Sequence, residues 1–166
     1  LLDKYGADAC RLFILFVAPP EDRTEWNEAG VEGTFRFLTR VWRFVLSRPQ
    51  TAGGSFAASD EPARRAVHTT VRKVTEDMDG LRYNTAIAAM MELVNDVSGA
   101  TLSDAAFTEA SRALVQMLAP FAPHIACELW ERMGETGTLY SSQWPSFEDA
   151  LAKAVEVEVV LQINGK

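Results

Sequence analysis

Residues 30 to 45 read GVEGTFRFLTRVWRFV, from Gly30 to Val45, and the spacing inside that stretch decides the fold class. Val31, Phe35, Leu38, Trp42 and Val45 recur at steps of three and four, which at 3.6 residues per turn places them on one stripe of an α-helix. That stripe is expected to be buried. Arg36, Arg40 and Arg43 follow the same spacing about 140° round the axis and form a second stripe facing away from it. A solvated basic face is the ordinary use of such a run. Here three guanidinium forks share one row, a geometry that suits phosphate oxygens because each fork donates paired N–H groups to an anion.

Composition sets the bounds around this helix. The chain has 166 residues, 48% of them hydrophobic and 23% charged, which fits one globular domain, or one domain with part of another attached. The formal net charge is −7 and the pI near 4.9, an acidic balance that excludes a dedicated, globally basic nucleic-acid binder. Any polyanion contact is therefore local. Residues 31 to 50 supply one: Arg36, Arg40, Arg43 and Arg48 stand there against Glu32 alone.

The remaining segments read as helices joined by turns. Asp8 is the expected cap of a first helix, Arg11 to Val17, which ends at Pro19 and Pro20 because proline cannot continue it. Pro49 to Asp60, PQTAGGSFAASD, reads as a linker or long surface loop. Pro62 opens a helix with Val67, Val71, Val74, Met78 and Leu81 on one face, interrupted by Gly80. Asn84 is the expected N-cap of the next helix, which carries Ile87, Met90, Met91, Val94 and Val97 inward and stops at Gly99. Ser103 or Asp104 caps a fourth, bearing Phe107, Leu114, Met117 and Leu118. Pro120 and Pro123 frame a turn into a fifth, Ile125 to Met133. Only the end changes period: Val155, Val157, Val159, Leu161 and Ile163 alternate with Glu156, Glu158, Val160 and Gln162, the period of a β-strand. Asn164 and Gly165 follow as a hairpin-turn dipeptide. No initiator methionine opens the chain, and it stops within this pattern, so the sequence reads as an excised piece. No repeat of 20 to 50 residues marks a solenoid.

Catalysis has no visible home. There is no glycine-rich phosphate loop, no HExxH or Cys/His metal spacing and no GxSxG elbow; catalytic and metal residues are expected to be none. His68 and His124 are isolated from each other, and a histidine at a helix entry more often satisfies backbone groups than binds a metal. Glu128 and Glu131 share a face at i, i+3, where paired acids are normally solvated. Cys10 and Cys127 lack a CxxC spacing and read as buried free thiols in a reducing, cytoplasmic setting. No stretch is long and apolar enough to span a membrane. Phe35, Leu38, Trp42 and Trp130 are the expected core anchors, and Trp26 and Trp144 read as packing residues rather than stacking platforms.

Five segments carry a resemblance. YGADACRLFILFVAPPEDRTEW, GVEGTFRFLTRVW, YNTAIAAMMELVN, LAPFAPHIACELWERMG and QWP followed by VLQINGK occur in the order found in bacterial-type leucyl-tRNA synthetases downstream of their KMSKS loop. The first alone fits several class I synthetases; APPEDRTEW with GVEG and RFLTRVW resembles the leucyl enzymes rather than the valyl or isoleucyl ones. Residues 49 to 60 and 99 to 110 match nothing specific. Cys127 stands where the family usually has a carboxylate, and Cys10 where it has another small or apolar residue.

The resemblance implies an all-α bundle, the anticodon-binding domain of class Ia synthetases, at 29 to 150. Residues 1 to 28 would be the end of the stem-contact region and its connection, and 151 to 166 the truncated start of a C-terminal domain with a short strand. It implies a part in joining leucine to tRNA(Leu) with ATP and magnesium, while the HIGH, KMSKS and editing parts would lie before Leu1, leaving this piece inactive alone and without a cofactor. Its partners would be tRNA(Leu) and the remaining domains of the same enzyme, with no membrane. In the leucyl branch the bundle is thought to hold the tRNA body, which agrees with an Arg36, Arg40, Arg43 row that positions phosphates without reading sequence. A second reading, which draws nothing from the resemblance, is a helical protein-interaction domain whose arginine stripe meets an acidic partner; the sequence motifs favour the first.

Overall fold

The computed structural model describes residues 1–19, 25–51 and 53–152. Among them are α1 (Leu2–Val17), α2 (Glu28–Val45), α3 (Glu61–Asp79), α4 (Tyr83–Gly99), α5 (Asp104–Leu118), α6 (Pro123–Arg132) and α7 (Asp149–Ala152), with single 3₁₀ turns at Ala58–Asp60 and Leu139–Ser141. The described fold is all-α. The strand expected at 155 to 163 and its turn lie outside the described residues, and so does the segment from Pro20 to Thr24.

All the long helices contribute to one core. Leu12 and Phe13 of α1, Val31 and Val41 of α2, Val71 and Val74 of α3, Ile87 and Met90 of α4, Leu114 and Met117 of α5, and Leu129 of α6 are each essentially inaccessible. The helices α1 and α2 cross closely because position 30 is glycine: a Cβ there would meet the Phe13 ring at 2.3 Å. Thr34 Oγ1, buried in the same crossing, donates to the Ala9 carbonyl at 2.9 Å. Asn27 caps α2, accepting from Gly30 N at 2.6 Å.

Several local expectations change on packing. The first helix starts well before Arg11 and bends at Gly6, whose φ of 81° no neighbouring helical residue shares. Asp8 is not its cap. The carboxylate instead reaches across the bundle to the start of α6, accepting from Ile125 N at 2.7 Å and from His124 Nδ1 at 2.8 Å. Asn84 is not the cap of α4 either, since that helix begins one residue earlier, at Tyr83. Leu81 does not continue the face of Val67, Val71 and Val74: it adopts φ 56° in the turn after α3 and is 59% exposed. Cys10 is buried as expected, but Cys127 is exposed, because Ala126, Leu129 and Trp130 take the inward face of α6.

Two buried carboxylates hold the connections, and periodicity pointed to neither. Asp77, near the end of α3, accepts from Arg82 Nε at 2.9 Å and from Thr85 Oγ1 at 2.6 Å and pairs with Lys73, pinning the α3–α4 turn. Asp60, at the end of the supposed linker, accepts from Ala57 N at 2.7 Å and from Ser103 N at 2.9 Å, and Ser103 Oγ also donates to it. Residues 53 to 60 are thus a strap tied to the N-terminus of α5, where Ser103 caps the helix as expected. His68 is also engaged. Its Nδ1 accepts from Glu148 N at 2.9 Å, so Nε2 carries the proton that is shared with Glu109 at 3.2 Å.

Burial pushes the Asp60 carboxyl up, but bonds from Ser103 and Ala57 and the Arg64 charge leave it below the ordinary range. Burial likewise raises Asp77, and Lys73, Thr85 and Arg82 outweigh it and hold that group low. A carboxylate whose folded pKa lies below its unfolded value near 3.9 stabilises the fold above that pH, and the contribution is lost as pH falls through the lowered folded value. Urea unfolding should therefore show a lower midpoint at pH 3 than at pH 7. Asp77→Asn should lower the pH 7 stability by about 2 to 3 kcal/mol, a figure set by lost charged hydrogen bonds, because Lys73 and Arg82 are half exposed and regain water. It should also flatten the acid dependence; an unchanged profile would show that Asp77 is not a source of it.

Candidate nucleic-acid interface

The arginine row lies on α2, and its orientation follows from which face of that helix is buried. The buried set is Val31, Thr34, Phe37, Leu38, Val41, Phe44 and Val45. Compared with the expected stripe, it is rotated toward Phe37 and Phe44. Val31, Leu38 and Val45 are buried as expected, but Phe35 is 41% exposed and is not a core residue, and Trp42 is only partly buried. Two apolar flanks compete on this helix; the Phe37–Phe44 flank is the one that is fully covered, and there Phe44 packs edge-on against Phe107 of α5 at 5.2 Å. Trp130 is buried as expected, 3% exposed, beneath the Arg112 guanidinium at 5.4 Å.

Arg36, Arg40 and Arg43 all emerge exposed on the opposite side. They are brought together on one face, and they differ in engagement. Arg36 pairs with Glu32 one turn earlier at 2.9 Å, so the row has an acid at its head. Arg40 donates to Asn95 Oδ1 on α4, which keeps its charge unneutralised. Arg43 makes no ion pair among the described residues. Arg48 leaves the row altogether: it donates to the Leu102 and Ser103 carbonyls at 3.0 and 3.1 Å and lies 4.3 Å over the Phe107 ring. The surviving cationic centre is therefore Arg40 and Arg43, with Arg36 a screened contributor, since exposed i, i+4 pairs are weak and open readily to a competing anion.

A second feature adjoins the row and was not visible in the spacing. Phe35, exposed, and Trp42, packed against the edge of the core, line a mostly apolar groove of about 530 Å³ between α1, α2 and α6, together with Tyr5, Leu38 and Ile125. Tyr5 meets Phe35 edge-on with ring centres 5.6 Å apart. Lys4 sits 4.7 Å from the Tyr5 ring and Arg132 5.1 Å from the Trp42 ring. The presence of two aromatic residues more than the buried stripe needs is the only signal for the groove in the sequence. Among the described residues no helix is long and apolar enough to cross a membrane.

Comparison with known proteins gives a consistent picture. A family model described as the anticodon-binding domain of tRNA ligase matches residues 60–166. The whole chain is 45% identical over 174 residues to the leucine–tRNA ligase of a Nostoc species and covers 20% of that protein. It is 44% identical over 179 residues to the leucine–tRNA ligase of a Geobacter species and 39% identical over 177 residues to that of Pseudothermotoga lettingae, covering 22% of each. The chain thus spans about a fifth of the length of the curated relatives it matches. Among solved structures, the ternary complex of Agrobacterium radiobacter K84 agnB2 LeuRS with tRNA and LeuAMS is similar, with a TM-score of 0.80 at 29% identity over 92% of this chain and 21% of that one.

The rotated face of α2 yields a direct check. Phe37→Ala empties a fully buried site and should cost about 3 to 5 kcal/mol, whereas Phe35→Ala removes a half-exposed ring that sits outside the core and should cost less, roughly 1 kcal/mol. Chemical denaturation of the two variants reads the difference; equal losses would restore Phe35 to the core.

Proposed function

We propose, for a chain that belongs to the anticodon-binding domains of tRNA ligases and is most simply placed beside the leucine–tRNA ligases it matches, that it docks the body of tRNA(Leu) through the exposed row on α2. One observation carries the reading. In a chain of net charge −7, Arg36, Arg40 and Arg43 project from one helix face at successive turns, and Arg40 and Arg43 have no acid paired to them among the described residues. A row of forks spaced along a rigid helix matches a run of phosphates, and phosphate contacts position a nucleic acid without reading its bases. The similar LeuRS was solved with tRNA, which supports RNA as the ligand class. No observation favours an acidic protein partner.

Leucine activation and transfer belong, in this reading, to a larger ligase of which these residues form one part. ATP with magnesium would be bound by the other domains of that enzyme, and its setting would be the cytoplasm. The helical chain by itself holds tRNA and forms no new bond.

Retention of a tRNA(Leu) transcript by the chain should fall linearly on a log–log plot against salt, because bound arginines release counterions from the RNA. Arg40→Ala and Arg43→Ala should each weaken binding and lower the slope by about one unit per lost contact. Lysine at either position should restore only part of the affinity, since it keeps the charge and loses the fork. Alanine variants that titrate tRNA like the unsubstituted chain would reduce the row to a solvated face. Separately, the chain alone should show no leucine-dependent pyrophosphate exchange and no deacylation of mischarged tRNA; either activity in pure protein would overturn the division of labour.

A further inference from the structure

We propose that the groove between α1, α2 and α6 receives one unstacked base of the docked RNA, held against the rings of Phe35 and Trp42. The inference rests on the tRNA-docking reading and adds a base contact to a face otherwise assigned to phosphates. Its first support is placement. Phe35, Thr39 and Trp42 form the row on α2 about 100° round the axis from Arg36, Arg40 and Arg43, with Thr39 one turn from both Arg36 and Arg43, so an RNA strand whose phosphates follow the arginines runs one row away from the groove and reaches it with a base turned out of its stack. A positively charged track beside aromatic faces is the general arrangement for holding single-stranded nucleic acid.

The second support is chemistry. The groove is walled by three aromatic rings and the apolar Leu38 and Ile125, and its size, about 530 Å³, lies in the range of small-ligand sites. A nucleobase is a planar, poorly hydrated group that gains most from such walls. The third support is charge. Lys4 and Arg132 stand against the Tyr5 and Trp42 rings but are paired with Glu28 and Glu128, and Asp8 is held by His124 and the α6 amides, so the groove itself is close to neutral and the pull on a neighbouring phosphate comes from Arg40 and Arg43. His124, whose side chain is 79% exposed at the rim and whose Nδ1 proton goes to Asp8, presents Nε2 as an acceptor for a base-edge donor.

The experiment uses the chain and a tRNA(Leu) transcript. Chemical probing of unpaired nucleotides, with and without protein, should show one base protected by the unsubstituted chain and by Trp42→Phe, which keeps a ring. Phe35→Leu and Trp42→Leu, which keep bulk but lose the π face, should leave that base reactive and bind roughly tenfold more weakly. Circular dichroism confirms that each variant is folded, and Phe35→Leu, at a half-exposed position, keeps the test open if Trp42→Leu does not fold. Ultraviolet cross-linking should map to Phe35 or Trp42. If Arg40→Ala loses tRNA while both leucine variants bind within twofold of the unsubstituted chain and protect the same bases, the groove proposal is overturned and docking stands. If Arg40→Ala and Arg43→Ala also bind normally, docking and groove fail together. Leucine variants that leave tRNA binding alone but change self-association in sedimentation would assign the groove to a protein contact, which also overturns the proposal.

Discussion

The contact between the Phe13 ring and the backbone at Gly30 fixes the rest of the structure, because it sets the rotation of α2 about its own axis. With no Cβ in the way, α1 lies directly on the first turns of α2 and Thr34 can reach the Ala9 carbonyl. Once that face is committed, the helical repeat leaves no freedom further along: Phe37, Leu38, Val41 and Val45 follow inward, Phe44 meets Phe107 of α5, and the arginines are left outside. Any side chain at position 30 would lift α1 or turn α2, and either would move the arginine row with it. The functional face is therefore specified by an apolar contact on the far side of the helix.

How much of this was legible in the sequence varies with the kind of information required. The helices were readable because apolar residues repeat at three and four and because Pro62, Ser103 and Pro123 mark starts that depend only on local chemistry. The arginine row was readable for the same reason. The side of α2 that packs was not, because Val31–Phe35–Trp42 and Phe37–Val41–Phe44 are both acceptable helical stripes, and choosing between them needs knowledge of what lies across the interface. Phe35 and Trp42 were assigned to the core on periodicity alone; partners that a single helix cannot reveal left Trp42 at the edge of the core and turned Phe35 toward the surface.

The polar residues were the least legible. Asp8, Asp60, Asp77 and His68 each look, in sequence, like a cap, a loop residue, a surface acid and an isolated histidine. In the structure Asp60 and Asp77 are fully buried and each bridges two elements. A buried carboxylate is tolerated only when donors surround it, and its donors here come from turns whose geometry exists only after the helices pack. Charge pattern therefore identifies what projects into water, while the acids that organise the interior escape it.

The Asp8 contact has a consequence for how the chain acquires its shape. The carboxylate on α1 completes the amide end of α6, 116 residues later in sequence. During synthesis α1 emerges long before the helix it caps, and its apolar face, Leu12 and Phe13, can settle on α2 at once while the Asp8 end has nothing to hold. Contacts closed over so long a stretch of chain come at the greatest loss of chain entropy and reward only a bundle that is already assembled. The joint between α1 and α6 is thus the clasp of the molecule: it closes 116 residues of chain, and it does so at the rim of the groove.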